Sequence, residues 1–436
     1  MIRILLVRHG HTAWNAGPSN ARGVAGGPTG RFRGIIDLPL ADQGVSQAQS
    51  TSRRLASLRV DAVYSSPLRR AAHTAQIISQ PHGISAQTLP GLGSMDYGDW
   101  AVPSPADVAH RWPDLYHQLR SNPFTVRFPG GECLTDLRER AVAAVTAALD
   151  DHSDGETLVL VTHQVVTKTL VCAWAKLPDA TYWRFRQDLA NLTTFDYDPT
   201  SRDFTLTGLN DTCHLGRALP RTSDVGTRLI LIRHGQTAWN ASPSMACVPH
   251  AGEERFRGRT DLPLDGTGQA QALDVAERLE NEPVEALYAS PLLRTQQTIA
   301  PLADRLGLPV QSEEGLLDIN YGRFQGLTYS EAAAAHPEPY SLWLTTPSQV
   351  RFPGGECLAD VQARILALLQ ELPCRHAQGT VALAGHQIVN KVTACTLLGL
   401  DLDQIWRIRQ DPGSMDVFQQ VGGVWHTLRL NDICHL

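Results

Sequence analysis

The 436-residue sequence has no CxxC pair, no apolar run long enough to span a membrane, no surplus of basic charge and no Walker-type Gly-x-x-x-x-Gly-Lys. Each absence removes a class of protein. The 8 cysteines are scattered, so neither a zinc ribbon nor a thioredoxin-like site is indicated and reduced thiols are expected. Cys213-His214 and Cys434-His435 recur as matched Cys-His-Leu endings, yet they lack the ligand number and spacing of a metal site. With 38 Lys and Arg against 44 Asp and Glu, the net charge of −6 argues against a dedicated nucleic-acid or acidic-membrane binder, which needs a dominant basic field. The opening Met1-Ile2-Arg3-Ile4-Leu5-Leu6-Val7-Arg8 is too short and too soon interrupted for a signal peptide, so a cytoplasmic location is expected. No acidic metal cluster is evident either, and neither metal nor cofactor is expected.

What the sequence does have is itself, twice. Leu6-Val7-Arg8-His9-Gly10 returns as Leu231-Ile232-Arg233-His234-Gly235, and Thr12-Ala13-Trp14-Asn15 as Thr237-Ala238-Trp239-Asn240. Arg31-Phe32-Arg33-Gly34 is matched by Arg255-Phe256-Arg257-Gly258, Ser66-Pro67-Leu68-Arg69-Arg70 by Ser290-Pro291-Leu292-Leu293-Arg294, and His163-Gln164 by His386-Gln387. A period of half the chain means duplicated domains, not a solenoid. The polar, aperiodic stretch at 217–227 separates them, giving domains at 1–216 and 228–436. Covalent linkage raises the effective concentration of one half at the other, so an internal pseudo-dimer is an expected partner arrangement.

Short apolar runs alternate with amphipathic stretches, the pattern of an α/β fold. Ile2 to Val7, Ala62 to Tyr64 and Thr157 to Val161 read as buried strands, as do Arg228 to Ile232, Ala286 to Tyr288 and Thr380 to Ala384. Leu358, Val361, Ile365, Leu368, Leu369 and Leu372 keep helical spacing and form a core-facing stripe.

In open α/β sheets ligands bind beyond the carboxyl ends of the strands. Arg8-His9, Ser66-Pro67 with Arg70, and Thr162-His163 all follow strands, and the second half repeats them as Arg233-His234, Ser290-Pro291 with Arg294, and Gly385-His386. Ser-Pro predicts a helix start with Ser as N-cap, setting Arg70 and Arg294 near an anion-favouring terminus. Paired guanidinium groups suit a phosphate dianion, and neutral imidazole is a competent nucleophile. A carboxylic acid must then protonate the leaving oxygen.

Arg-His-Gly after a strand, Ser-Pro-Leu-x-Arg before a helix and a second His after a later strand resemble the histidine phosphatase superfamily, also called phosphoglycerate-mutase-like, over essentially the whole chain, twice. The resemblance implies two tandem three-layer α/β/α sandwich domains, each with a mostly parallel central sheet, and a metal-independent phosphatase that cleaves phosphate monoesters of a small phosphorylated metabolite through a phosphohistidine. It puts the nucleophile on His9 and His234, phosphate-binding arginines on Arg8 with Arg70 and Arg233 with Arg294, the second histidine on His163 and His386, and a phosphate-pocket amide on Asn15 and Asn240. The acid's place falls on Asp318 in the second half and on Ser94 in the first, where Asp96 is the nearby carboxylate that could substitute. The C-terminal site is therefore expected to carry most turnover.

The arginines Arg22, Arg31, Arg33, Arg255, Arg257 and Arg259 lie in Gly/Pro-rich loops. They either read the non-phosphate end of the substrate, with Arg33 and Arg257 as the candidates, or are solvated surface groups. Glu132 and Glu356 are expected to begin helices, and Asp37-Leu38-Pro39-Leu40 to be a structural turn. Arg186-Gln187-Asp188, Arg409-Gln410-Asp411 and the Asn-Asp pairs near each end are expected to secure later strands. A phosphoglycerate-type mutase is the enzymatic alternative, although each half looks short for a mutase's capping insertions. A phospholigand-binding or assembly module that has lost turnover is the other alternative, supported by Ser94 for the first half alone.

Overall fold

Apolar runs that read as strands in the sequence do form them, and each half adds further strands that the sequence pattern hides. The computed structural model describes residues 1–15, 31–216, 218–222, 225–240 and 254–436. The Gly17 to Gly30 loop, with Arg22, lies outside the described residues. The chain divides into two units, Met1–Arg217 and Ala218–Leu436.

The N-terminal unit contains β1 (Ile2–Arg8), β2 (Ala62–Ser65), β3 (Gln87–Thr88), β4 (Thr157–Thr162), β5 (Leu192–Asp198) and β6 (Asp203–Asp211). They lie in the order β3-β2-β4-β1-β5-β6. The pairs β3-β2, β2-β4 and β4-β1 are parallel, and β5 with β6 closes one side as an antiparallel hairpin. The C-terminal unit repeats this with β7 (Arg228–Arg233), β8 (Val284–Ala289), β9 (Val310–Ser312), β10 (Thr380–Gly385), β11 (Met415–Val421) and β12 (Val424–Asp432). Their order is β9-β8-β10-β7-β11-β12.

Both faces of each sheet are buried, which makes three layers and explains why the central strands read as continuous apolar runs. Leu5, Val7, Val63, Val159 and Val161 pack on one face with Leu55, Ala71, Ala75 and Ile78 from helices Asp42–Leu55 and Arg69–Ser79. Alternate residues Ile4, Leu6, Leu158 and Leu160 are equally buried on the other. The same holds for Ile230, Ile232, Ala382 and Ala384 against helices Gly266–Leu279 and Leu293–Leu306. All six residues of the predicted stripe are buried in helix Leu358–Arg375. Among the described residues no helix is long and apolar enough to cross a membrane.

The later strands are tied down as the matched Asn and Asp residues suggest. Asn431 Nδ2 donates to Asp411 at 2.8 Å and its carbonyl oxygen accepts from the Asp411 amide at 2.8 Å; Asn210 and Asp188 repeat the pair. Asn210 and Asn431 both take left-handed backbone, with φ of 58° and 51°, which Asn tolerates better than most residues.

Candidate active site

Parallel register brings the site together. Arg233, last in β7, pairs with Gly385, last in β10, while Ala289, last in β8, pairs with Ala384. The next residue of each strand is therefore His234, His386 or Ser290, side by side on one sheet edge. In the N-terminal unit Arg8 pairs with Thr162 and Ser65 with Val161, delivering His9, His163 and Ser66 alike. The imidazole centroids stand 5.3 Å apart for His234 and His386, and 5.1 Å apart for His9 and His163. Gly235 lets this turn press on the next helix, because a Cβ there would lie 2.6 Å from the Gly268 carbonyl oxygen.

His234 Nδ1 lies 2.7 Å from the Gly235 carbonyl oxygen, and His9 Nδ1 is 2.7 Å from that of Gly10. A carbonyl can only accept, so Nδ1 carries the proton and Nε2 keeps its lone pair. Burial, then the neighbouring arginines, hold His234 well below the ordinary imidazole range; for His9 burial is joined by His163 and Arg70. Both rings are neutral near pH 7, as a nucleophile must be.

Around these rings are buried donors without a partner among the described residues: Arg233 Nε, Arg257 Nε and Asn240 Nδ2 in the C-terminal unit, and Arg8 Nε in the N-terminal one. Buried polar groups are normally satisfied, so convergent unpaired N–H groups mark the seat of an anion. Asn240 is aimed by its own oxygen, which accepts from the Thr237 amide at 2.6 Å; Asn15 is held by Thr12 in the same way. Burial pushes Arg233 and Arg294 down to about 10, which leaves both charged at neutral pH.

Arg294 is the hub of the C-terminal site. It donates to the Thr260 and Gly258 carbonyls at 2.8 and 2.7 Å, to His386 Nδ1 at 3.2 Å and to Asp318 Oδ2 at 3.2 Å. Asp318 Oδ2 also lies 3.8 Å from His386 Nδ1. Burial raises the Asp318 carboxyl above its ordinary value, outweighing Arg294 and Arg257, which favour the charged form. A raised carboxyl is what a general acid needs.

The N-terminal cavity, of about 60 Å³, is lined by Arg8, His9, Arg33, Arg70, Ser94 and His163 among others, and no carboxylate among the described residues lines it. Asp96 is not brought to it. Its Oδ1 accepts from the Gly98 amide at 2.9 Å, closing the same turn that Asn320 closes on Gly322, so the expectation that Asp96 replaces the missing acid is corrected. Arg70 Nε donates here to His9 Nε2 at 3.3 Å, where its counterpart meets the second histidine. Among the loop arginines, Arg33 donates to Thr12 at 3.1 Å and Arg257 to Glu254 at 3.1 Å, whereas Arg255 and Arg259 pair outward with Glu331 and Glu356.

Two other expectations change. Ser66 and Ser290 are not N-caps, since the helices begin at Arg69 and Leu293; their hydroxyls meet His163 Nε2 at 2.8 Å and His386 Nε2 at 2.9 Å and hold the second histidine. Glu132 and Glu356 do not begin helices either. Glu356 accepts from the Asn320 amide at 2.8 Å, and Glu132 from the Asp96 amide at 2.9 Å and from Arg140, so each clamps the loop that carries the acid position.

Residues 4–212, and again residues 229–433, match the family model of the histidine phosphatase superfamily, branch 1. The chain belongs to the histidine phosphatase superfamily. It is a phosphoric monoester hydrolase of the histidine phosphatase type, with two copies of the family domain. It is similar to phosphoserine phosphatase 1 of Hydrogenobacter thermophilus, 32% identical over 209 residues that make 48% of this chain and 94% of that one. It is also similar to the adenosylcobalamin/alpha-ribazole phosphatase of Salmonella typhimurium, at 29% identity over 42% of this chain and 85% of the relative. The 2,3-bisphosphoglycerate-dependent phosphoglycerate mutase 2 of Gloeobacter violaceus matches at 31% identity, over 41% of this chain and 80% of the relative.

Proposed function

We propose that the chain hydrolyses small phosphate monoesters without a metal, and that the C-terminal site carries most of the turnover through a phosphohistidine on His234. The observation behind this reading is Asp318, a buried carboxyl raised above its ordinary value and 3.2 Å from Arg294, where the N-terminal unit has Ser94. Arg233, Arg294 and Asn240 hold the dianion, and His386 keeps Arg294 in place by accepting from its Nε. His234 Nε2 attacks phosphorus and the P–O bond to the leaving oxygen breaks. Protonated Asp318 supplies the proton that makes an alkoxide leave as an alcohol, and then takes one from the water that releases inorganic phosphate. Similarity to a phosphoserine phosphatase and an alpha-ribazole phosphatase supports alkyl phosphates as the substrate class.

The test is phosphoenzyme trapping with a radiolabelled alkyl phosphate in the presence of a chelator. The expected result is an acid-labile, base-stable label on wild type that His234→Ala removes. A label that survives His234→Ala, or turnover only with added metal, contradicts the proposal. Turnover only with a bisphosphoglycerate primer would make the chain a mutase.

A further inference from the structure

We infer that the N-terminal pocket is a second site, selective for phosphoryl compounds whose leaving oxygen departs as a stable anion, the acyl and aryl phosphates, with Lys168 as a cation of the cavity that receives that anion. The inference rests on the phosphohistidine chemistry proposed above and extends it to the other unit. The nucleophilic half of the machinery is intact: His9 Nδ1 carries the proton, Arg70 Nε donates to His9 Nε2 at 3.3 Å, and Arg8 Nε is a buried donor without a partner among the described residues. The acid is gone. Ser94 is buried at its position, Asp96 is committed to the Gly98 turn, no carboxylate among the described residues lines the cavity, and the loop at 16–30 contains no Asp or Glu in its sequence.

What takes the acid's place is positive charge. Arg8, Arg33, Arg70 and Lys168 line one cavity, and none of the four makes a salt bridge among the described residues, whereas Arg257 and Arg294 of the other unit are paired with Glu254 and Asp318. Lys168 is 2% exposed, donates to the Tyr182 carbonyl at 3.0 Å and is caged by the rings of Tyr182, Trp183 and Phe185 at 5.0 to 5.4 Å. Burial pushes Lys168 down to about 7, and an anion that arrives or forms beside it draws it to the charged ammonium, which has two hydrogens left to donate. Cations stabilise a carboxylate or phenolate as it forms but cannot supply the proton that an alkoxide needs. In balanced form, His9 Nε2 attacks phosphorus and the P–O bond breaks with its electron pair leaving on oxygen. Water then cleaves the P–N bond, its oxygen and both hydrogens go to dihydrogen phosphate, and neutral His9 is restored.

The experiment uses the full-length chain carrying His234→Ala, so that only the N-terminal nucleophile remains, with acetyl phosphate, 4-nitrophenyl phosphate, glycerol 3-phosphate and O-phosphoserine as probes. The expected kcat/KM for the first two exceeds that for the alkyl phosphates by about a hundredfold or more, the factor a missing general acid removes. Adding Ser94→Asp is expected to raise alkyl turnover by about a hundredfold and to change aryl turnover by only a few fold. Equal rates on alkyl and aryl probes, or no turnover of any probe by a His234→Ala chain that melts like wild type, overturn the inference. Should that variant misfold, Ser94→Asp in the wild-type chain gives the same contrast: a gain confined to alkyl phosphates whose loss on adding His9→Ala supports the inference, and no such gain overturns it. A His9→Ala chain that fails on alkyl phosphates would contradict the C-terminal proposal instead, so the two failures are distinct.

Discussion

Imidazole attacks through a nitrogen that has kept its lone pair, and in both units a backbone carbonyl one residue away settles which nitrogen that is. The acid works from the opposite protonation state, and burial shifts Asp318 towards it. Asp318→Asn is expected to lower kcat on an alkyl phosphate by about 10² to 10⁴-fold while leaving inorganic phosphate binding in place, measured by steady-state kinetics and product inhibition. The pH profile follows from the same two groups. A raised Asp318 is active while protonated, so kcat/KM falls as pH rises through its pKa; a depressed His234 stays neutral until pH drops below the ordinary imidazole range. The alkaline fall should therefore vanish in Asp318→Asn and the acidic one persist, as a kcat/KM profile would register. Much of this site was legible in the sequence, because His234 and His386 directly follow apolar strands, Arg233 ends one, and Arg294 stands at the start of the helix after another. Ser290 and Glu356 were not, since each acts on a partner far along the chain, 96 and 36 residues away, and no local pattern records that.

The elements carry their own hidden devices. Asp261 accepts from the Leu293 amide at 2.7 Å, and Asp37 from the Arg69 amide at 2.7 Å, so the expected structural turns cap, from 32 residues away, the helices that hold Arg294 and Arg70. Asp261→Ala should cost about 1 kcal/mol of stability, readable in a denaturant melt, and weaken phosphate binding together with it. The strands β5 and β11 escaped a reading by apolar runs because polar side chains occupy their buried positions: Thr193 in one, Asp416 in the other. Asp416 is wholly buried, accepts from Gln410 Nε2 and from the Asn431 amide, each at 2.7 Å, and is pushed up to about 7 by burial. A carboxyl raised on folding gives stability that is fully present below its unfolded pKa and is lost as pH rises to the folded value, here from about 4 to about 7. In Asp416→Asn, a rotated Gln410 amide can accept from the new amide through Oε1, which has no partner now. Between pH 5 and pH 8 the variant should gain on wild type by about 2 kcal/mol in urea unfolding, and an unchanged difference would contradict this account.

For the molecule as a whole, the duplication is its own control experiment. Two units with the same strand order and the same paired histidines differ at one position, where Asp318 meets Arg294 in one and Ser94 lines the cavity in the other. The duplication and the buried central strands were plain in the sequence, because repeated words and apolar runs leave dense local signals. That Asp96 is spent on a turn was not, because a carboxylate two residues from the acid's position looks interchangeable until its hydrogen bond is seen. The most direct measurement is turnover of an alkyl phosphate by full-length His9→Ala and His234→Ala proteins under the same conditions. The account predicts that His234→Ala loses nearly all activity, by about 10²-fold or more, and that His9→Ala stays near wild type. A larger loss in His9→Ala would contradict it.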